Sequence, residues 1–226
     1  MNTYPFRLAG ADLAALPSGA MWWPGERLLC VADLHLGKSE RMARRGGGLL
    51  PPYDGTETLG RLDAAIAATR PETVICLGDS FDDLAASACL PEAQDLWLTR
   101  MMAGLRWIWI EGNHDPGPLD HGGEHRREYR RQGLVFRHIA ETGPQSGEVS
   151  GHFHPKATLR GRGAAIRRAC FLTDGRRLIL PAFGAYTGGM DCTAPELASL
   201  MDAQAHAILT GPTPVSFPVA AGRTRR

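Results

Sequence analysis

Residues 27–35 read RLLCVADLH. The run Leu28-Leu29-Cys30-Val31-Ala32 is apolar at every position, which marks a strand covered on both faces. It passes directly into Asp33-Leu34-His35, a carboxylate and an imidazole two residues apart. Two further stretches follow the same plan. Thr73–Leu77 ends in Gly78-Asp79, and Arg106–Ile110 ends in Gly112-Asn113-His114-Asp115. Between the first two strands, a helical spacing runs from about Thr56 to Thr69, with Leu59, Leu62 and Ile66 on one face and Pro71 closing it. A second helix is expected over Pro91–Gly104. The first half therefore reads β-α-β-α-β, a sheet with helices packed on it.

The second half reads as closely spaced strands over Gly133–Ile139, Gly147–Ser150, Ala164–Leu172 and Arg176–Leu180. Thr173-Asp174-Gly175 marks a hairpin between the last two, and Ala205–Leu209 is a final strand. No repeat or low-complexity linker interrupts the chain, so residues 1–226 are expected to form one domain, within the size one core supports. The loop Ala43–Pro52, with three glycines and two prolines, is expected to be mobile, and the tail Ala220–Arg226 frayed.

The five cysteines are odd in number and form no CxxC pair, which points to reduced thiols in a cytoplasmic protein. The N-terminus has no basic start leading into an unbroken apolar block, and no apolar run approaches membrane-spanning length. The formal net charge is +1, so the molecule as a whole is not an obvious polyanion binder. The charge is uneven: residues 121–187 carry twelve Arg or Lys against five Asp or Glu.

The polar clusters are Asp33-x-His35, Gly78-Asp79-x-x-Asp82, Gly112-Asn113-His114-Asp115, His138 and Gly151-His152-x-His154. Each follows an expected strand, and loops beyond the carboxyl ends of such strands converge on one crevice. Asp33, His35, Asp79, Asn113, His138, His152 and His154 would then meet there. Seven oxygen and nitrogen donors exceed one tetrahedral site and suit two adjacent metals. Carboxylate, amide and imidazole without thiolate favour manganese, iron or zinc. In Gly151-His152-Phe153-His154, alternate positions on an extended segment would aim both imidazoles the same way.

In their order and spacing these five clusters resemble the calcineurin-like metallophosphoesterase superfamily over roughly residues 28–155. The resemblance implies a four-layer αββα sandwich, two mixed sheets flanked by helices, with a dinuclear metal site at one edge. By position, Asp33, His35 and His154 would bind one metal, Asn113, His138 and His152 the other, and Asp79 would bridge them. His121 and His125 compete with His138 for its place. His138 is preferred because it directly follows the strand-like Gly133–Arg137. Ala32–Ser39, Leu49–Asp54, Ser150–Pro155 and Leu180–Gly189 further resemble the bacterial ligase-associated DNA damage response endonucleases. That resemblance implies a nuclease working beside a DNA ligase and a helicase in DNA repair, with two divalent ions, manganese before iron or zinc.

The expected catalytic group is His114, as proton donor to the leaving oxygen, with Asp82 orienting it; Asp82 could equally cap a short helix. Protein phosphatases of the superfamily carry arginine and glutamate where this chain has Asp83 and Asp115, which argues against a phosphoprotein substrate. Phosphate-binding candidates are Arg41, Arg44, Arg45, Arg126, Arg127, Arg130 and Arg131, against the alternative of a solvated helix face. Trp22, Trp23 or Tyr53 are candidates for stacking on single-stranded DNA bases, with core packing favoured for the tryptophans. Two other functions stay open: a phosphoesterase of a nucleotide, cyclic nucleotide or lipid-linked pyrophosphate, and a non-catalytic protein-binding scaffold.

Overall fold

The computed structural model describes residues 2–44, 53–143, 145–161 and 164–219. Most of the loop 43–52 and the whole tail 220–226 lie outside these residues. Among the described residues, one sheet runs in the order β1 (Tyr4–Leu8), β2 (Ala11–Ala15), β3 (Met21–Trp23), β4 (Leu28–Val31), β5 (Thr73–Leu77), β6 (Arg106–Ile110) and β7 (Glu124–Arg126). Its first four strands are antiparallel to their neighbours, and β4 to β7 are parallel. Four helices belong to this half: α1 (Lys38–Arg44), α2 (Asp54–Thr69), α3 (Leu84–Ala88) and α4 (Glu92–Met102).

The second sheet contains β8 (Glu128–Arg131), β9 (Leu134–Arg137), β10 (Glu148–Ser150), β11 (Lys156–Gly161), β12 (Ala164–Thr173), β13 (Arg177–Ile179), β14 (His206–Leu209) and β15 (Val215–Pro218). Its order is β15-β14-β12-β13-β10-β9-β8, with β11 paired to β12. Only β9, β10 and β13 are mutually parallel.

The layers follow from alternation along fully buried strands. In β4, Leu28 and Cys30 face the second sheet and pack with Phe136, Val149 and Phe171. Leu29 and Val31 face the opposite way and pack with Leu59 and Leu62 of α2 and Leu98 of α4. The outer face of the second sheet is covered by Leu197 of the single-turn helix α5 (Pro195–Ala198) and by Cys192. The result is the expected four-layer αββα arrangement with two mixed sheets, its second helical layer thin.

Three local features depart from expectation. The hairpin β1–β2 carries no sequence signal because its two-residue turn is Ala9-Gly10, both at positive φ (47° and 90°), where Asn-Gly or Asp-Gly is usual. Arg126, Arg127, Arg130 and Arg131 lie on and between β7 and β8, not on a helix. The helix cap after Asp79 is Asp83, whose carboxylate accepts the N–H of Ala86 at 2.6 Å, so Asp82 is free for another task. Among the described residues, no helix is long and apolar enough to cross a membrane.

Candidate metal centre

The parallel strands of both sheets point their carboxyl ends at one edge. β4 delivers Asp33 and His35, β5 delivers Asp79, and β6 leads to Asn113 and His114. From the second sheet, β9 delivers His138 and β10 leads to His152 and His154. Two sheets therefore supply one crevice, as in other α/β folds that bind ligands beyond the strand ends.

The chain bends sharply as it leaves each strand. Asp33, His35, Asp79, His152 and His154 all have left-handed backbones, with φ between 45° and 69°. A non-glycine residue held there costs on the order of 1–3 kcal/mol and persists only where its surroundings fix it, commonly at functional sites. This corrects one expectation: His152 and His154 share a direction because of two left-handed turns, not because the segment is extended. Gly112 shows how closely the loops approach. A Cβ there would meet the Asp79 backbone nitrogen at 2.1 Å.

Asp33, His35 and His154 bring ligand atoms within 4.8 Å of one another, and so do Asp79, His138 and His152. The sets abut: Asp33 Oδ1 lies 3.2 Å from His154 Nε2 and 3.9 Å from His138 Nδ1. The His152 backbone N–H donates to Asp33 Oδ2 at 3.0 Å.

Hydrogen bonding leaves the ligand atoms free for cations. His138 Nδ1–H donates to the Leu77 carbonyl at 2.8 Å, which leaves Nε2 as an acceptor in the neutral ring. That Nε2 faces Asn113 Oδ1 at 2.9 Å, His152 Nδ1 at 3.2 Å and Asp79 Oδ2 at 3.4 Å. In the first set, His35 Nδ1–H donates to Asp82 Oδ1 at 2.8 Å, and the buried Nε2 has no hydrogen-bond partner among the described residues. His154 Nε2 is likewise buried and without one. Buried acceptors facing acceptors are costly unless a positive charge joins them. One carboxylate and two imidazoles in each set, with an amide beside the second, fit two divalent transition metals.

The charges agree with this. Burial alone would raise the Asp79 carboxyl, but hydrogen bonding and charge from His138 and His114 outweigh it and hold it down to about 2. Burial pulls the His138 ring down, yet Asp79, Asp33 and the Leu77 carbonyl raise it above its ordinary value. Burial and the neighbouring His138 lower His152. The two touching imidazoles thus do not take up protons together.

His114 stands at the opening, about one-third exposed. Its backbone N–H donates to Asp79 Oδ1 at 2.8 Å, and its Nδ1 donates to the Asp82 backbone carbonyl at 2.9 Å. Its Nε2 is 3.9 Å from Asp79 Oδ2. The expectation that the Asp82 carboxylate orients His114 is therefore corrected. That carboxylate holds His35 and the Arg41 guanidinium instead, while the Asp82 main chain holds His114. A carboxylate behind a ligating imidazole fixes its tautomer and strengthens it as a ligand. Asp82→Asn is expected to weaken metal binding by about 10–100-fold, read by calorimetric metal titration; unchanged affinity would remove Asp82 from this role.

Sequence reasoning passed over Asp115 except as a departure from the phosphatase pattern. Its buried carboxylate accepts backbone N–H groups from Asp79, Ser80, Phe81 and Gly112 at 2.7–3.1 Å. Burial and then the Asp79 charge push it up to about 6, against the hydrogen bonds from Phe81, Ser80 and Asp79. The residue ties the loop after β5 to the loop after β6. The available signal was an aspartate in a tight Gly-Asn turn, a residue type that ties loop backbone.

Other expected residues fall elsewhere. His121 stacks on Phe81 and pairs with Asp95, and His125 accepts the Leu119 N–H, so neither joins the centre. Trp23 is core, Trp22 packs half-buried against the helices, and Tyr53 is exposed. Arg126 pairs with Glu124, Arg127 with Glu111, Arg130 with Glu128 and Arg131 with Glu26. The excess positive charge read in residues 121–187 is thus neutralised on these strands, partly by Glu26 and Glu111 from outside that window. Arg44 ends α1, and Arg45 lies outside the described residues. A 630 Å³ cleft opens beside Asn113 and His138, and Glu111, Glu128 and Glu141 line it with Arg127 and Arg137.

Residues 26–167 match the family model described as calcineurin-like phosphoesterase. Among solved structures, the chain is similar to the crystal structure of a Pseudomonas putida nuclease MPE. Identity is 29% and the TM-score 0.74, over 95% of this chain and 100% of that one. No curated protein matches the sequence.

Proposed function

The chain belongs to the calcineurin-like phosphoesterase family, a group of metal-dependent phosphoesterases, and we propose that it is a dinuclear phosphodiesterase that cleaves DNA. One observation carries this: two adjoining sets of imidazole and carboxylate donors, two of whose buried ring nitrogens have no hydrogen-bond partner among the described residues, with a partly exposed imidazole over them. The nuclease similarity, which spans nearly the whole chain, supports nucleic acid as the substrate. The resemblance to ligase-associated nucleases supports a role in DNA repair beside a ligase and a helicase in the cytoplasm. Residues 1–226 would act as one domain.

Asp33, His35 and His154 would hold one ion, and Asn113, His138 and His152 the other, with Asp79 between them. The ions, when bound, polarise the phosphate and lower the pKa of water toward neutrality. The protein does the rest. Asp82 and the Leu77 carbonyl fix the tautomers of His35 and His138, so the ligand nitrogens need no reorganisation. Asp115 and the left-handed turns hold the loops in one geometry. His114 keeps its Nδ1 on the Asp82 carbonyl, so the proton for the leaving oxygen is carried on Nε2, facing the crevice.

The test is an activity screen of metal-loaded protein on single-stranded DNA, duplex DNA, cyclic nucleotides and an aryl phosphodiester. Chelation is expected to abolish activity, and manganese to restore it better than magnesium, which prefers oxygen and keeps its waters. Four imidazoles among the ligands make that difference large. Equal rescue by magnesium would refute the metal assignment. Turnover of cyclic nucleotides without DNA cleavage would replace the nuclease reading by a small-substrate one.

A further inference from the structure

The arginines most conspicuous in the sequence are neutralised, so a nucleic-acid strand needs another set of charges. The chain contains only two lysines, Lys38 and Lys156. They are 118 positions apart, and both reach the same short loop. Lys38 Nζ donates to the Tyr186 carbonyl at 3.1 Å, and Lys156 Nζ donates to the Thr187 carbonyl at 2.9 Å. Arg167 donates to the Gly189 carbonyl at 3.1 Å. No carboxylate pairs with any of the three among the described residues.

A carbonyl occupies only one of the three protons on each ammonium and forms no ion pair with it; Asp82 acts on Lys38, and Asp191 on Arg167, only from a distance. The remaining donors are available to phosphate oxygens. The loop also carries an exposed aromatic ring. Tyr186 is 53% exposed and sits at φ 54°, a strained conformation for a non-glycine residue. Lys38 on its carbonyl helps to hold it there.

The ridge is built onto the metal centre. Lys38 lies three residues after His35 and Lys156 two after His154. The Gly184 N–H donates to the Asp33 carbonyl at 3.0 Å, and the Met190 N–H to the His154 carbonyl at 3.2 Å. The ridge therefore lies on the side of Asp33, His35 and His154. On the other side, beside Asn113 and His138, the cleft is lined by Glu111, Glu128 and Glu141 with Arg127 and Arg137, which pair with one another and leave no surplus positive charge for a phosphate backbone. We propose that Lys38, Lys156 and Arg167 form the phosphate track of a single-stranded DNA substrate, with Tyr186 as its stacking platform. This rests on the nuclease reading and adds where the strand lies relative to the metals.

The test is binding of manganese-loaded protein to a fluorescent phosphorothioate oligothymidylate, titrated with salt. Glutamine substitution, K38Q/K156Q/R167Q, removes the charges and keeps donors for the loop carbonyls. The magnitude of the salt slope is expected to fall by about 2, three contacts at ~0.7 each. Arginine at 38 and 156 should preserve it. Tyr186→Ala is expected to weaken binding roughly ten- to hundredfold, with little change in slope. Arg168→Ala is the control, because Arg168 is exposed, alternates with Arg167 along β12 and lies against Gly211. An unchanged slope in the triple variant overturns the proposal. Should that come with a lowered melting temperature, the three cations are loop clamps only. A wild type with no salt-dependent binding overturns the DNA reading itself, whereas a wild type that binds and cleaves beside an unaltered variant overturns only the track.

Discussion

Asp79→Ala is expected to lose at least one metal ion per chain and to lower turnover by on the order of 10³ or more. The residue is nearly fully buried and joins the second ligand set to the loop that carries His114. Its Oδ2 faces His138 and His114, its Oδ1 accepts the His114 N–H, and its own N–H donates to Asp115. Held down to about 2, the carboxyl stays ionised across the whole range in which imidazoles titrate. The set then keeps a negative charge to offset an incoming cation. Alanine leaves His138 Nε2 and His152 Nδ1 facing each other without the carboxylate of their own set. A lost Lewis acid removes several kcal/mol of transition-state stabilisation, and each 1.36 kcal/mol is a factor of ten. Elemental analysis of the purified protein, with calorimetric metal titration, reads the first effect, and aryl phosphodiester hydrolysis the second. Two tightly held ions in the variant would show that Asp79 is not a ligand. Asp33, which lies near His154 and His138 alike, would then be the bridging carboxylate to test.

The centre was legible because its chemistry is local. Each candidate ligand stands within a few residues of the end of a continuous apolar strand, and buried strands announce themselves without long-range information. Asp33 after Leu28–Val31 and Asp79 after Thr73–Leu77 needed only that pattern. His138 needed more: the strand before it is short, and only the structure shows it beside Asp79 and Asn113, with His121 and His125 elsewhere. What the sequence concealed depends on pairing across long separations. Asp82 meets His35 over 47 positions, and nothing in either motif says which histidine it serves. Arg131 meets Glu26 over 105 positions, so a charge count in one window overstated the free charge on that surface. The β1–β2 hairpin was hidden by a different cause, an alanine in a turn that usually takes asparagine or aspartate. The left-handed turns were also unreadable, since Asp33, His35 and His154 carry no glycine to signal them.

His114→Ala is expected to keep both metals and lower turnover by ~10²–10⁴, the usual contribution of a positioned proton donor. The two effects separate for a structural reason. His114 supports Asp79 through its backbone N–H, which alanine retains, so the carboxylate keeps its anchor. Only the imidazole is lost. Its Nε2 faces the crevice, while Nδ1 is committed to the Asp82 carbonyl, so no other ring atom can deliver a proton to the leaving oxygen. The loss should therefore depend on the leaving group. A nitrophenolate leaves readily without a proton, whereas the sugar alkoxide of a DNA strand does not. The defect is expected to be large on DNA and small on a nitrophenyl diester. His114→Gln offers a hydrogen bond without a transferable proton, and should resemble alanine in rate. Equal defects on both substrates with two metals bound would point to phosphate positioning by His114 in place of proton donation. Loss of metal from the variant would make it a ligand, and the proton donor would have to be sought among other groups at the opening of the crevice.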